Sequence, residues 1–222
     1  MKKIIFPLIG LVVFIWMISI AAEKDFEIRG KKLISQKPPF TLSLPSELQL
    51  IYFSSHPTEA ENSLTRSYYL MKTKERNVEE LLIVQIADKT NPEAGPISIT
   101  PLKPLEKRSY LKSKMKKREL EVDYLIQLMG WNPDAPSLQP IVKKGIIIPS
   151  RWALQGQVQF IDQGEHAVSI RYSKDVNSFG IKVSEKGDEW EKGLISGNEK
   201  RVYETFRKTF MEMINSIQIK HP

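Results

Sequence analysis

The sequence predicts an α+β fold: a largely antiparallel sheet packed with two main helices, preceded by an N-terminal hydrophobic export helix. Three observations predict it. Short segments alternate apolar and polar residues from Phe40 onward, two longer stretches repeat apolar residues at helical spacing, and an uncharged apolar run follows Lys2 and Lys3 directly.

The apolar run comes first in the chain. Lys2 and Lys3 form a positive start, Ile4 to Ile18 carries no charge, and Ser19-Ile20-Ala21 offers small residues before Ala22. This order is that of a secretory signal peptide. Ile4 to Ala22 is also long enough to cross hydrocarbon as a transmembrane helix. The two lysines hold the start inside, so residues 1–22 act as a cleaved signal or a retained membrane anchor. Either outcome places the remainder in a periplasmic or other extracytoplasmic location, soluble after cleavage or anchored in the inner (cytoplasmic) membrane. Residues 23–39 are charged, carry Pro38-Pro39 and show no period, so they read as a linker or loosely packed arm. Residues 40–222 then form a single exported α+β domain.

Within 40–222, Phe40, Leu42 and Leu44 alternate with Thr41 and Ser43 as a strand ending at Pro45. Leu48 to Phe53 and Arg66 to Lys72 are further extended segments. Leu81-Leu82-Ile83-Val84 is apolar on both faces, which predicts a central strand covered on both sides. The first main helix is expected over about Leu105 to Met129, with Leu111, Met115, Val122, Leu125, Ile126 and Met129 on one stripe and Gly130 as its stop. Trp152, Leu154, Val158 and Phe160 alternate with polar partners that include Gln155, Gln157 and Gln159, and Asp162-Gln163-Gly164-Glu165 turns the chain into His166 to Tyr172. The glutamines predict one wet face or an edge. The second main helix is expected over Glu199 to Asn215, with Val202, Phe206, Phe210 and Met213 at helical spacing. Ser196 and Glu199 form a possible capping box at its start. Two long connections, 131–148 and 173–197, are functional loops or simply mobile ones.

This element order, with the ending Phe206-Arg207-Lys208-Thr209-Phe210-Met211-Glu212-Met213-Ile214-Asn215-Ser216-Ile217, resembles the PsbP-like/Mog1-like α/β/α sandwich. The resemblance spans roughly Phe40 to Ile219 by order, and only the last dozen residues by local pattern. It implies an exported, non-catalytic binding protein of the kind that family contains. It transfers no site residue.

The charge is uneven. Lys103 to Arg118 holds eight cations against one acid, Glu106, so this stretch alone equals the formal charge of +7 of the whole chain. Lys107, Arg108, Lys112, Lys114, Lys116, Lys117 and Arg118 are therefore candidates for contact with an acidic protein or an anionic envelope or lipid surface. Their simpler role is a solvated helix face. Nucleic acid fits poorly, because Tyr110 is the only aromatic among them and export removes the usual partner.

Chemistry is sparse. The absence of cysteine excludes disulfides, thiolate catalysis, Cys-ligated zinc and a lipoprotein anchor. His56, His166 and His221 lack metal-ligand spacing, and no nucleophile elbow or phosphate loop occurs. The sequence thus supplies no catalytic, cofactor or metal residue. Asp88, Glu93, Asp123, Asp134 and Asp162 could meet in space as a hydrolase site. Trp152 reads as core by its alternation. Trp131 and Trp190 read as partly exposed, in core packing or as ligand-stacking platforms. Two functions follow: a non-catalytic binding or structural module, with an anionic-surface binder as one form of it, or an exported hydrolase.

Overall fold

The computed structural model describes residues 25–58, 62–118, 120–149 and 152–220. The export segment, residues 1–22, and His221 lie outside them. No helix among the described residues is long and apolar enough to cross a membrane.

The fold is α+β with antiparallel sheets. A four-stranded sheet is ordered β1-β2-β3-β11, from β1 (Phe26–Arg29), β2 (Lys32–Gln36), β3 (Pro39–Ser43) and the two-residue β11 (Gln218–Ile219). A seven-stranded sheet is ordered β4-β5-β6-β10-β9-β8-β7. Its strands are β4 (Gln49–Thr58), β5 (Ser63–Lys74), β6 (Asn77–Lys89), β7 (Ser109–Lys117), β8 (Leu120–Gly130), β9 (Trp152–Asp162) and β10 (His166–Asp175). A four-residue helix, α1 (Gln139–Val142), a long one, α2 (Gly197–Asn215), and two short 3-10 turns, Val176–Phe179 and Asp188–Trp190, complete the described elements.

Three expectations are corrected. Residues 105–129 are not a helix but the β7–β8 hairpin, turned at Arg118 with φ of +54°. Leu111 to Lys116 alternates apolar or small residues with lysines, a period of two that a helical winding of the wider stretch concealed. Lys112, Lys114, Lys116 and Lys117 therefore sit on the edge strand of a sheet and not on a helix of their own. The stretch 23–39 is not a linker: β1 and β2 begin at Phe26, and Phe26 and Leu33 are buried in the core. Finally, Ser196 is the N-cap of α2 as expected, but its side chain makes no capping hydrogen bond.

The seven-stranded sheet has two unlike faces, because alternate residues of each strand point to opposite sides. Tyr68, Leu82, Val84, Val158, Phe160 and Ile170 share the first face and pack against the four-stranded sheet and α2 in the main core. Val202, Phe206, Phe210 and Met213 are the buried stripe of α2, and burying each fully contributes about 1.5–3 kcal/mol. Phe210 lies against Gly156 of β9, where a Cβ would approach its ring to 2.3 Å. The second face is mixed. At the β5–β6 end Tyr69, Met71, Leu81 and Ile83 pack under α1 and its loop in a smaller cluster with Trp131 and Ile141. Over β9 and β10 it carries Gln155, Gln157, Gln159 and Ser169; Gln155 and Gln159 are buried and β9 is an interior strand, so this face is polar without being the wet face or edge expected of those glutamines.

Candidate functional site

Register builds the site. Gly130, the last residue of β8, pairs with Trp152, the first of β9, and Ala153 pairs with Asp175, the last of β10. Both long connections therefore leave the sheet at the same end. They meet over a cleft of about 430 Å³ lined by Gly130, Trp131, Trp152, Asn177, Val183, Ser184 and Glu185. Trp131 is 6% exposed, and its indole Nε1–H is enclosed without a hydrogen-bond partner. Trp152 is half-buried, not core as its alternation suggested, and donates from Nε1 to the Ser184 carbonyl at 3.0 Å. The Arg108 guanidinium stands 4.4 Å from the centre of the Trp152 ring, a cation–π contact, and donates to the Lys186 carbonyl. Gly187, at φ +65°, passes so close that a Cβ would lie 3.1 Å from the indole.

The far wall is pinned rather than loose. Glu189 accepts from the Ser184 amide at 2.6 Å and from its hydroxyl at 2.5 Å. Burial works to raise the Glu189 carboxyl, but those bonds outweigh it and hold it below the usual carboxylate value. Tyr110 donates to the Trp190 carbonyl at 2.6 Å, Lys107 pairs with Glu191 at 3.2 Å, and the Lys192 amide donates to the Lys107 carbonyl at 2.7 Å. Asp175 accepts from both the backbone amide and side chain of Asn177, fixing the turn that begins the wall.

The structure thus separates the two candidate stacking residues. Trp131 lines the cleft, though it is buried and not partly exposed as expected. Trp190 is fully buried in the main core and lines no part of it. Sequence reasoning missed Trp152, Asn177, Ser184 and Glu185; the two long loops on either side of the β9–β10 hairpin were the available signal.

The basic residues divide by face. Lys112, Lys114 and Lys116 share one side of β7, opposite Leu125, Asp123 and Glu121 of β8. Lys112 donates to the Leu102 carbonyl at 3.0 Å, and Lys114 pairs with Glu121 and, at 3.5 Å, with Asp123. Lys117 donates to the carbonyls of Asn215 and Ile217 at the end of α2, where a cation complements the helix dipole. Arg118 reaches the Ile219 carbonyl at 3.4 Å. Of the seven candidates, Lys116 alone makes no hydrogen bond or ion pair among the described residues. A row of lysines on this nine-residue edge strand also blunts its free side against other strands.

The candidate carboxylates do not assemble. Asp88 accepts from Arg66 through Nε at 2.8 Å and Nη2 at 3.1 Å, and from His166 Nδ1 at 2.7 Å. Arg66 also reaches Asp25 and the Lys37 carbonyl, tying β5 and β6 to the N-terminal strands. Asp162 is buried beside His166 on β9, Asp123 belongs to Lys114, and Glu93 and Asp134 are exposed on loops. None of the clefts described here is lined by two acids. Among the described residues no group of three His, Asp or Glu side chains is placed to hold a metal ion. No family model, curated protein or solved structure matches this chain.

Proposed function

We propose that the protein is an exported or membrane-tethered, non-catalytic binding module whose ligand enters the indole cleft between residues 131 and 185. One observation carries this reading: the two long connections converge on two tryptophans, one of which holds an enclosed N–H with nothing to donate to. An unmet donor of this kind costs about 1–3 kcal/mol, which a ligand acceptor would recover. The scattered carboxylates lend the hydrolase reading no comparable support. The α/β/α layering and the PsbP-like resemblance belong to the same proposal. α2 on one face and the short α1 on the other support the layering, although the second main helix it assumed is the β7–β8 hairpin. Binding of an anionic surface through β7 draws its support from Lys116, since most neighbouring cations are already engaged.

The cleft is tested by ligand-observed NMR with a library of soluble envelope-derived peptides, glycans and lipid headgroups. Hits that vanish with Val183→Trp, which fills the cleft from a partly exposed position, support the proposal. Hits that persist in that variant, or no hits with natively folded protein, overturn it. Placement is tested by fusing alkaline phosphatase behind Lys24. An active reporter supports export, and an inactive one that is stably produced overturns it. N-terminal sequencing of protein from the host separates the two forms: a start at Ala22 identifies the cleaved one, an intact Met1 the tethered one.

A further inference from the structure

The second face of the seven-stranded sheet holds another cleft, of about 280 Å³, at the low end of the range for small-molecule sites. Its floor is Thr65, Gln85, Gln157, Gln159 and Ser169 together with the small residues Ala87 and Ala167, and its roof is the extended segment Ser98-Ile99-Thr100. The segment is tied down by Ile97, whose amide donates to the Gly164 carbonyl at 2.8 Å, and by Gln159 Nε2, which donates to the Thr100 carbonyl at 3.2 Å. Directly beneath, the opposite face of the same strands is Val84, Ile86, Val158 and Ile170, all fully buried. Packing alone would favour apolar side chains under a roof on this face too. Amides and hydroxyls there are costly to desolvate unless their hydrogen bonds are met. They are met unevenly: Gln157 reaches Ser169 at 3.4 Å, whereas Gln85 donates to Ser67 at 3.2 Å and accepts from Arg171 at 2.6 Å. The side-chain carbonyls of Gln157 and Gln159 accept nothing among the described residues.

One cation stands at the end of this floor. Arg171 pairs in register with Gln157 on β9 and with Ile83 on β6. It donates from Nη2 to the Gln85 side-chain oxygen at 2.6 Å, while its Nε is enclosed and has no partner. No carboxylate among the described residues lies within ion-pair distance of it. Burial lowers its hold on the proton, the direction expected of a guanidinium facing only neutral groups. A desolvated charge without a counter-ion is strongly unfavourable.

From this juxtaposition we infer a second ligand site, separate from the indole cleft, for a hydroxyl-rich molecule carrying a carboxylate, that is, an acidic sugar. Primary amides and hydroxyls both donate and accept, as sugar hydroxyls do. The guanidinium supplies the fork that a carboxylate fits, and no acid lines the cleft to repel it.

Calorimetric titration of the folded protein with trigalacturonate, maltotriose and citrate tests the site. Trigalacturonate should bind, and maltotriose should bind at least roughly tenfold more weakly for lack of the charge-assisted contact. Arg171→Gln should reduce the acidic trisaccharide to the level of the neutral one. Ser98→Trp, at an exposed roof position that leaves the core untouched, should abolish both, which covers the case in which the Arg171 variant does not fold. Val183→Trp should leave this binding unchanged and so keeps it distinct from the indole cleft. No binding of trigalacturonate, full binding in Ser98→Trp, or an acidic preference that survives Arg171→Gln would each overturn the inference. Citrate binding as tightly as the trisaccharide would also overturn it, by showing an anion site without sugar recognition.

Discussion

Gly156 is the point at which the long helix touches the sheet, and replacing it with alanine is a direct test of that packing. The added Cβ would lie 2.3, 2.5 and 2.6 Å from Cδ2, Cε2 and Cγ of Phe210, all well inside contact distance. Gly156 has ordinary strand backbone, so the change adds no left-handed strain; the clash is the whole effect. Phe210 cannot swing aside, because it is fully buried and its ring stacks against Phe206 with centres 6.3 Å apart. Either α2 lifts from β9 or β9 bends. Overpacking of this kind costs about 1–3 kcal/mol, and for a chain of this size that corresponds to a fall in Tm of roughly 2–12 °C. Urea denaturation and calorimetry would measure it. Phe210→Leu should itself destabilise by leaving a void, yet Gly156→Ala combined with Phe210→Leu should lose less than the sum of the two changes, with a coupling of about 0.5–3 kcal/mol. A Gly156→Ala protein as stable as the wild type, or strictly additive losses, would refute the helix–sheet contact described above.

Three further outcomes follow from the buried polar groups and the sheet edge. Glu80 is buried, accepts from Ser46 at 2.7 Å and Tyr172 at 2.8 Å, and pairs with Lys174 at 3.2 Å. Burial works to raise its carboxyl, but these partners hold it below the ordinary value of 4.5. Its contribution to stability is therefore complete above about that pH and is lost as pH falls through the depressed value. Glu80→Gln should flatten this part of the acid limb in urea midpoints measured from pH 6 to 3; unchanged steepness would count against the network. Arg66→Ala should cost about 3–5 kcal/mol in chemical denaturation, because Asp88 keeps its burial and loses its bidentate partner, and a loss under 1 kcal/mol would contradict that role. Changing Lys112, Lys114 and Lys116 together to Val should promote self-association through β7 in sedimentation velocity. A strictly monomeric variant at the same concentration as a monomeric wild type would show that these lysines do not protect the edge.

How much of the fold was legible depended on whether a local period survived without its neighbours. α2 was readable because Val202, Phe206, Phe210 and Met213 repeat on a single stripe long enough to exclude a strand. The β9–β10 hairpin was readable because a short turn, in which Gln163 and Gly164 take positive φ, is flanked by clean alternation. The β7–β8 hairpin failed on the same criterion. Its apolar residues reverse parity at the turn, from Leu111 and Met115 to Val122 and Ile126, and that reversal happens to fall near helical spacing. The alternation of Lys112, Lys114 and Lys116 was the better guide, but it is carried by polar residues that a search for apolar stripes does not weigh. β1 and β2 were hidden for a different reason: strands of four and five residues are set by pairing with each other and, through β2, with β3, not by their own composition.

The sites were less legible than the fold because they are products of register. Trp131 and Trp152 are 21 positions apart, and nothing local says that Gly130 and Trp152 will be opposite each other. The sequence read Trp152 as core and Trp190 as partly exposed; Trp152 is half-buried and Trp190 fully buried, since the sheet's end decides which indole meets solvent. Arg171 was invisible for the same cause: in a strand reading His166 to Tyr172, a lone arginine is an ordinary outward residue. Only the pairing with Gln157 and the proximity of Gln85 give it a neutral, desolvated setting. If binding proves to follow these two clefts, function in this fold is written in cross-strand pairs. Exchanging Gln157 for Glu would then be a sharper functional probe than changing any loop residue, because it gives Arg171 an internal counter-ion, should raise stability, and should weaken the acidic ligand in the same step.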